Sequence, residues 1–247
     1  MKSQKKKYAT SFALGFAIFC IISALISLIL IIPMLDFDFP LPSNSVGANS
    51  NITIVLDAGH GGEDGGAQGN GLSEKDLNLD ITLRVATLLR KQGVNVVLTR
   101  DTDILLYDTE SDYKGKKKAQ DLRKRLEITN SCENPVLVSI HMNYFAQTQY
   151  SGLQVWYSKN DSRSKTLANL IQSNVKNTLQ PNNNRATKEA TSSIFLLHNA
   201  PCPAVLIECG FLSNPDEAHS LGDADYRQKL ANSIFKSIMT YISQNNT

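Results

Sequence analysis

Two histidines and two glutamates carry the chemistry of this sequence, and three of the four stand at or just past the ends of short apolar runs. Ile52 to Leu56 leads into Asp57-Ala58-Gly59-His60-Gly61-Gly62-Glu63-Asp64-Gly65-Gly66; Val136 to Ile140 ends in His141; Ala204 to Ile207 ends in Glu208. The fourth, Glu74, follows the glycine-rich stretch at the start of a helical pattern. Two imidazoles and a carboxylate suit zinc with an open position for water, and a spare carboxylate can act as its base. The spacing alone leaves open which glutamate is ligand and which is base.

Such residues need a scaffold that brings distant segments together. In a mainly parallel α/β sheet the strand carboxyl ends face one crevice, where ligands bind. The glycines around His60 let backbone approach closely and take positive φ, so this loop is expected to wrap something. Glu74 sits on the same helical stripe as Leu77, Ile81, Val85 and Leu88. Alone it reads as a solvated first-turn acid favoured by the helix dipole. Beside His60 and His141 it reads as a ligand, because an acid facing the core is costly unless paired or bound to metal. Asp57 is a candidate acceptor for the free ring N–H of a ligand histidine, or a cap for the glycine loop. Asn143, two residues past His141, either points into the cleft as a substrate-binding amide or is an ordinary turn residue. His198 reads as near the site or merely surface, and His219 as exposed.

Taken in order, the soluble part alternates strand and helix patterns. Strands are expected at Asn51 to Asp57, Val94 to Thr99, Pro135 to His141, Gly152 to Ser158, Ile194 to Leu197 and Pro203 to Glu208. The Gly152 to Ser158 run alternates as in a half-buried or edge strand. Helices are expected from Ser73, over Ala119 to Asn130, over Leu167 to Leu179, briefly after Asn214-Pro215, and over Tyr226 to Ile242. The fold class is therefore α/β: a single domain, residues 51–247, with a mostly parallel or mixed twisted sheet covered by helices on both faces.

An N-terminal transmembrane helix is expected to precede that domain. Residues 1–8 form a basic tail with Lys2, Lys5, Lys6 and Lys7, and Phe12 to Ile32 is almost wholly apolar. Such a run spans about 30 Å as a helix, the thickness of a bilayer core. Residues 9–33 read as an uncleaved signal-anchor with the lysines in the cytoplasm, and residues 34–50 as a linker. A cleaved signal peptide, releasing a secreted domain, is the alternative. Of 25 Lys and Arg the tail holds four, so the remainder has 21 bases against 23 acids and no basic face for nucleic acid. The lysines from Lys114 to Lys118 read as a solvated turn or helix start. Cys132, Cys202 and Cys209 have no spacing of a zinc knuckle or disulfide framework and read as free thiols.

At the site residues the sequence resembles the zinc-dependent N-acetylmuramoyl-L-alanine amidases. The matching stretches are Asp57 to Gly62, Glu74-Lys75-Asp76-Leu77-Asn78-Leu79, Ser139-Ile140-His141-Met142-Asn143 and Glu208-Cys209-Gly210-Phe211-Leu212-Ser213-Asn214, in order along the chain. The resemblance implies that His60, Glu74 and His141 bind zinc and that Glu208 is the catalytic acid/base. It implies hydrolysis, in peptidoglycan, of the amide between the muramic acid lactyl group and L-alanine of the stem peptide. The connection from His141 to Gly152 is too short for the self-blocking helix of some members, and no wall-binding repeat follows the domain. These features are similar to the germination-specific amidases of spore-formers, which act in making muramic-δ-lactam in the spore cortex. They imply a membrane-anchored domain in the space around the forespore, limited by a protein partner or by restricted expression. A general autolytic or division amidase would carry the same residues. Another zinc hydrolase of wall polymers, a peptidase or deacetylase, and an inactive wall-binding protein are the further alternatives. A phosphate or dinucleotide loop fails on spacing, since the helix starts well after the glycines.

Overall fold

β1, Thr53–Ala58, is buried on every residue, as a strand covered on both faces must be. It lies inside a six-stranded sheet of order β4-β1-β5-β8-β6-β7, with β4 Asn95–Leu98, β5 Pro135–Asn143, β6 Gln154–Tyr157, β7 Lys188–Glu189 and β8 Ala204–Phe211. The structure is a computed structural model and describes residues 51–107 and 116–245. The expected basic tail, membrane helix and linker lie outside the described residues, and among those described no helix is long and apolar enough to cross a membrane. β4, β1, β5 and β8 pair in parallel, whereas β6 runs antiparallel to β8 and the short β7 runs parallel to β6. The sheet is therefore mixed and mostly parallel, within one α/β unit.

Helices pack on both faces. α1 (Glu74–Lys91), α3 (Arg163–Thr178) and α6 (Ala224–Asn245) cover one face. There Ile81, Ile171 and Ile234 meet Ile54, Val138 and Ile207. α2 (Lys117–Asn130) and α4 (Phe195–Asn199) cover the other, where Leu122, Leu126 and Leu197 meet Val55, Leu137 and Leu206. α5, Pro215–Gly222, is started by Asn214, whose side chain accepts from the Asp216 and Glu217 N–H groups. A small hairpin, β2 (Gln68–Gly69) with β3 (Leu72–Ser73), precedes α1.

Three local expectations are corrected. The run Ile194 to Leu197 is not a strand: Ile194 caps the helix α4, and the adjacent Leu196 and Leu197 are both buried, as a helix rather than an alternating strand allows. The inward stripe of α1 ends on Leu89, which is fully buried, while Leu88 is only partly covered. The helix over Ala119 to Asn130 is expected to turn Leu122, Leu126 and Thr129 inward together; instead α2 buries Asp121, Arg125 and Thr129, with Leu122 and Leu126 only partly buried at its flank. Lys117 opens α2, so that lysine run is a helix start; Lys114 and Gly115 lie outside the described residues.

Candidate active site

β1, β5 and β8 are parallel neighbours, so their carboxyl ends lie side by side. His141 on β5 stands opposite Glu208 on β8. His60 lies two residues past β1, with the Gly59 N–H still bonded to the Ile140 carbonyl at 3.1 Å. Glu74 opens α1 and is buried, so the solvated first-turn reading does not hold for it. Ser73 occupies the cap position but does not cap; its hydroxyl donates to the Gly65 carbonyl at 3.3 Å.

One donor atom from each of His60, Glu74 and His141 lies within 4.8 Å of the other two. Glu74 Oε1 is 3.3 Å from His60 Nε2 and 3.0 Å from His141 Nδ1. It also accepts the Met142 N–H at 3.0 Å, while Oε2 accepts the Ala67 N–H at 2.7 Å. Burial works against the charge on Glu74, yet these imidazoles hold its carboxyl well below the usual carboxylate range. Burial likewise disfavours charge on His60, but Glu74 and then Asp64 raise its pKa. The surroundings are cut to fit the rings. A Cβ on Gly59 would lie 2.2 Å from His141 Cε1, and one on Gly66 would lie 2.6 Å from Glu74 Oε2. Two imidazoles and an ionised carboxylate, converging in a cradle with no room for another methyl, fit a divalent cation of the zinc type.

The loop that presents His60 is held by its backbone. His60 itself has φ of 62°, a left-handed conformation that a non-glycine residue adopts only under constraint. Arg125 from α2 donates to the Ala58 carbonyl at 2.6 Å and the His60 carbonyl at 2.7 Å. Arg100, just after β4, donates to the Ala58 carbonyl at 2.8 Å and the Gly59 carbonyl at 3.0 Å. Asn78 adds a bond to the Gly59 carbonyl at 3.0 Å. The sequence reading missed both arginines. Its own signal was that a loop so rich in glycine cannot hold itself by side-chain packing.

Asp57 takes neither of its expected roles. It accepts from Arg125 Nη1 at 2.7 Å, Thr99 Oγ1 at 2.7 Å and Ser139 Oγ at 2.5 Å, fully buried beneath the loop. Burial raises its pKa, but Arg125 and then Ser139 bring it down to about 2. The carboxylate beside a ligand ring is Asp64, whose Oδ2 is 2.9 Å from His60 Nδ1. Asp64 is thus the acid on the far side of the His60 ring from Glu74. Lys118 lies 3.3 Å from the same Asp64 oxygen, and Lys117 pairs with Glu63 at 2.7 Å.

Glu208 differs from every other acid here. Its Oε2 is buried with no hydrogen-bond partner among the described residues. Burial pushes its pKa up to about 7, so near neutral pH it can hold or release a proton. Cys209 points to the opposite sheet face and joins the core under α1, α3 and α6. Asn143 ends β5 beside the site; its carbonyl accepts from the Leu212 N–H at 2.8 Å, and its side-chain amide has no partner among the described residues. His198 on α4 and His219 on α5 are both exposed and outside the cluster. Cys132, Cys202 and Cys209 are free thiols, the first of them only half-buried.

Comparison with known proteins meets this geometry from the other side. The profile of the family described as N-acetylmuramoyl-L-alanine amidase matches residues 54–240. A germination-specific N-acetylmuramoyl-L-alanine amidase of Bacillus subtilis is 38% identical over 195 residues, 79% of this chain and 81% of that protein. The CwlD amidase of Clostridioides difficile, solved in complex with the GerS lipoprotein, superposes with a TM-score of 0.74 at 43% identity, covering 78% of this chain and 99% of that one. The amidase AmiC2 of Nostoc punctiforme gives a TM-score of 0.67 at 30% identity, over 77% and 97% of the two chains.

Proposed function

This chain belongs to the N-acetylmuramoyl-L-alanine amidase family, and from that premise we propose how its residues divide the work of a peptidoglycan amidase. The scissile bond joins the lactyl group of N-acetylmuramic acid to L-alanine of the stem peptide. His60 Nε2, Glu74 Oε1 and His141 Nδ1 are the atoms that would hold zinc, since they already converge. Bound there, zinc supplies Lewis acidity, polarising the amide carbonyl and making water a stronger acid. Glu208 Oε2 takes the proton from the attacking water and hands it to the leaving amine of L-alanine. Asn143, two residues past His141 and with no side-chain partner among the described residues, would hydrogen-bond the substrate on the glycan or amide side. Arg100 and Arg125 keep His60 at its station through the loop backbone.

The observation that carries this reading is the buried, unpartnered Glu208 oxygen, on the strand next to a cluster of two imidazoles and a carboxylate. The test pairs the wild-type chain with Glu208→Gln, each assayed for bound zinc and for cleavage of purified peptidoglycan. Free L-alanine amino termini from the wild type, with zinc kept but cleavage lowered about 10²- to 10⁴-fold in the variant, are expected. A variant that cuts as fast as the wild type would remove Glu208 from the chemistry. A wild type that binds no zinc would remove the metal reading.

The narrower biological reading is a role in forming muramic-δ-lactam in spore cortex. It is supported by the Bacillus subtilis relative and by the short connection between β5 and β6. On this reading residues 9–33 anchor the chain and the catalytic domain lies outside the cytoplasm, around the forespore. A protein partner that governs zinc occupancy completes it, supported by the Clostridioides difficile amidase having been solved with a lipoprotein. Full zinc loading and full turnover by the isolated chain would exclude such a partner.

A further inference from the structure

Glu74 is one of three polar residues on the side of α1 that faces the core. Asn78 and Thr82 follow it at successive turns, and all three are buried along with Leu77, Ile81 and Val85. A helix stripe packed on a sheet stabilises most when it is apolar. Here the chain places an amide and a hydroxyl instead. Two of their atoms, Asn78 Oδ1 and Thr82 Oγ1, are buried with no hydrogen-bond partner among the described residues. A buried polar atom without a partner is costly, so its retention asks for a reason.

For Asn78 the reason lies at the other end of its amide. Nδ2 donates to the Gly59 carbonyl at 3.0 Å and reaches Glu74 Oε1 at 3.5 Å. Gly59 is where the two histidine-bearing elements meet. It precedes His60 in the chain, and its N–H donates to the carbonyl of Ile140, the residue before His141. A Cβ on it would enter the His141 ring. One amide group thus spans from the ligand-bearing end of α1 to the point where the other two ligand elements join.

Neither acceptor depends on Asn78 for a partner. The Gly59 carbonyl also accepts from Arg100 at 3.0 Å, and Glu74 Oε1 from the Met142 N–H at 3.0 Å. What Asn78 adds is the spacing between them. Its orientation is fixed as well. Turned over, Oδ1 would face a carbonyl and a carboxylate oxygen, so the nitrogen stays toward the site and the oxygen is stranded in the core. We propose that Asn78 is a positioning residue of the zinc site, which spaces Glu74 Oε1 from the loop that carries His60. The inference rests on the zinc reading above. Thr82, one turn further along α1, makes no bond to either oxygen and has no part in it. An apolar residue at position 78 would give a more stable helix face and a poorer site.

The test uses the full chain in detergent, stripped of metal, with two readings. One is the melting temperature of the metal-free form, the other zinc affinity from competition with a chromogenic chelator. Asn78→Leu fills a similar volume and removes both the working nitrogen and the stranded oxygen. It is expected to melt no lower than the wild type, and to bind zinc about 10- to 100-fold more weakly. With cobalt in place of zinc, the visible bands, which report ligand geometry, should shift. Thr82→Val removes the other unpartnered atom and is expected to keep the wild-type zinc affinity and cobalt bands. If leucine does not pack at position 78, Asn78→Ala gives the same zinc reading. Zinc held as tightly by the Asn78 variants as by the wild type overturns the proposal. So does an equal loss of affinity in Thr82→Val, since the stripe would then act through helix packing alone. A wild type that binds no zinc sinks the metal reading itself, and the positioning role with it.

Discussion

Gly59 has no room for a side chain, because a methyl there would enter the His141 ring. Gly59→Ala is therefore expected to turn that ring away and lower zinc affinity about 10- to 100-fold, with the fold retained. Zinc titration alongside circular dichroism would read both. Zinc binding unchanged in that variant would mean the ring has somewhere else to go. The sequence made His60, His141 and Glu208 legible because each sits at or just past the end of an apolar run, and a polar group at a strand end is hard to hide. Glu74 was legible only in their company. Asp57 was not, because its partner Arg125 lies 68 residues away on α2 and its other partners are Thr99, just past β4, and Ser139 on β5. Pairings of that range leave no local pattern in a single chain.

At the scale of elements, Asn214 does two jobs. Its side-chain oxygen starts α5, and its amide nitrogen donates to the Thr148 carbonyl at 3.0 Å and the Tyr150 carbonyl at 3.3 Å. Asn214→Ala should lower stability by about 1–2 kcal/mol, read from the urea midpoint. It should also loosen the segment between β5 and β6, read as faster amide exchange around Tyr150. A stability loss with no change in that exchange would reduce Asn214 to a cap. Long elements with a clear period, such as α1, α3 and β8, were readable from spacing. Short ones were not. Ile194 to Leu197 looks like a buried strand because four apolar residues cannot state a period. The polar inward face of α2 hid its role, since the Asp57 carboxylate that Arg125 meets lies on another element of the fold.

At the scale of the molecule, one buried ionic network joins sheet to helix. Arg125 meets Asp57, and Asp121 Oδ2 accepts from its Nε at 2.8 Å. Burial opposes the charge of Arg125, but Asp57 and Asp121 keep it ionised. Arg125→Met would leave Asp57 buried and unpaired, and is expected to cost about 3–5 kcal/mol in denaturant unfolding. Asp57 ionises more readily folded, near 2, than at its ordinary 3.8. Its contribution is thus complete above about pH 4 and drains away as pH falls through about 2. An acid-unfolding curve of the wild type should steepen in that window, and one for Asp57→Asn should lack that component. Zinc should add to stability by mass action, about 2.7 kcal/mol at a hundredfold excess over Kd. A chelator should accordingly lower the melting temperature by about 5–10 °C. A chelator without effect on melting would detach the metal from the fold.

The two arginines grip the His60 loop by the carbonyl oxygens of Ala58, Gly59 and His60, and Arg125 also holds the Asp57 carboxylate beneath it. The stretch from Asp57 to Glu74 is therefore not a portable cassette. Grafted onto another α/β scaffold without counterparts of Arg100 and Arg125, it would carry its donor atoms along but not their address. In its own setting the reverse holds. An exposed position such as Gln68 can be rewritten freely, because its side chain makes no hydrogen bond or ion pair among the described residues.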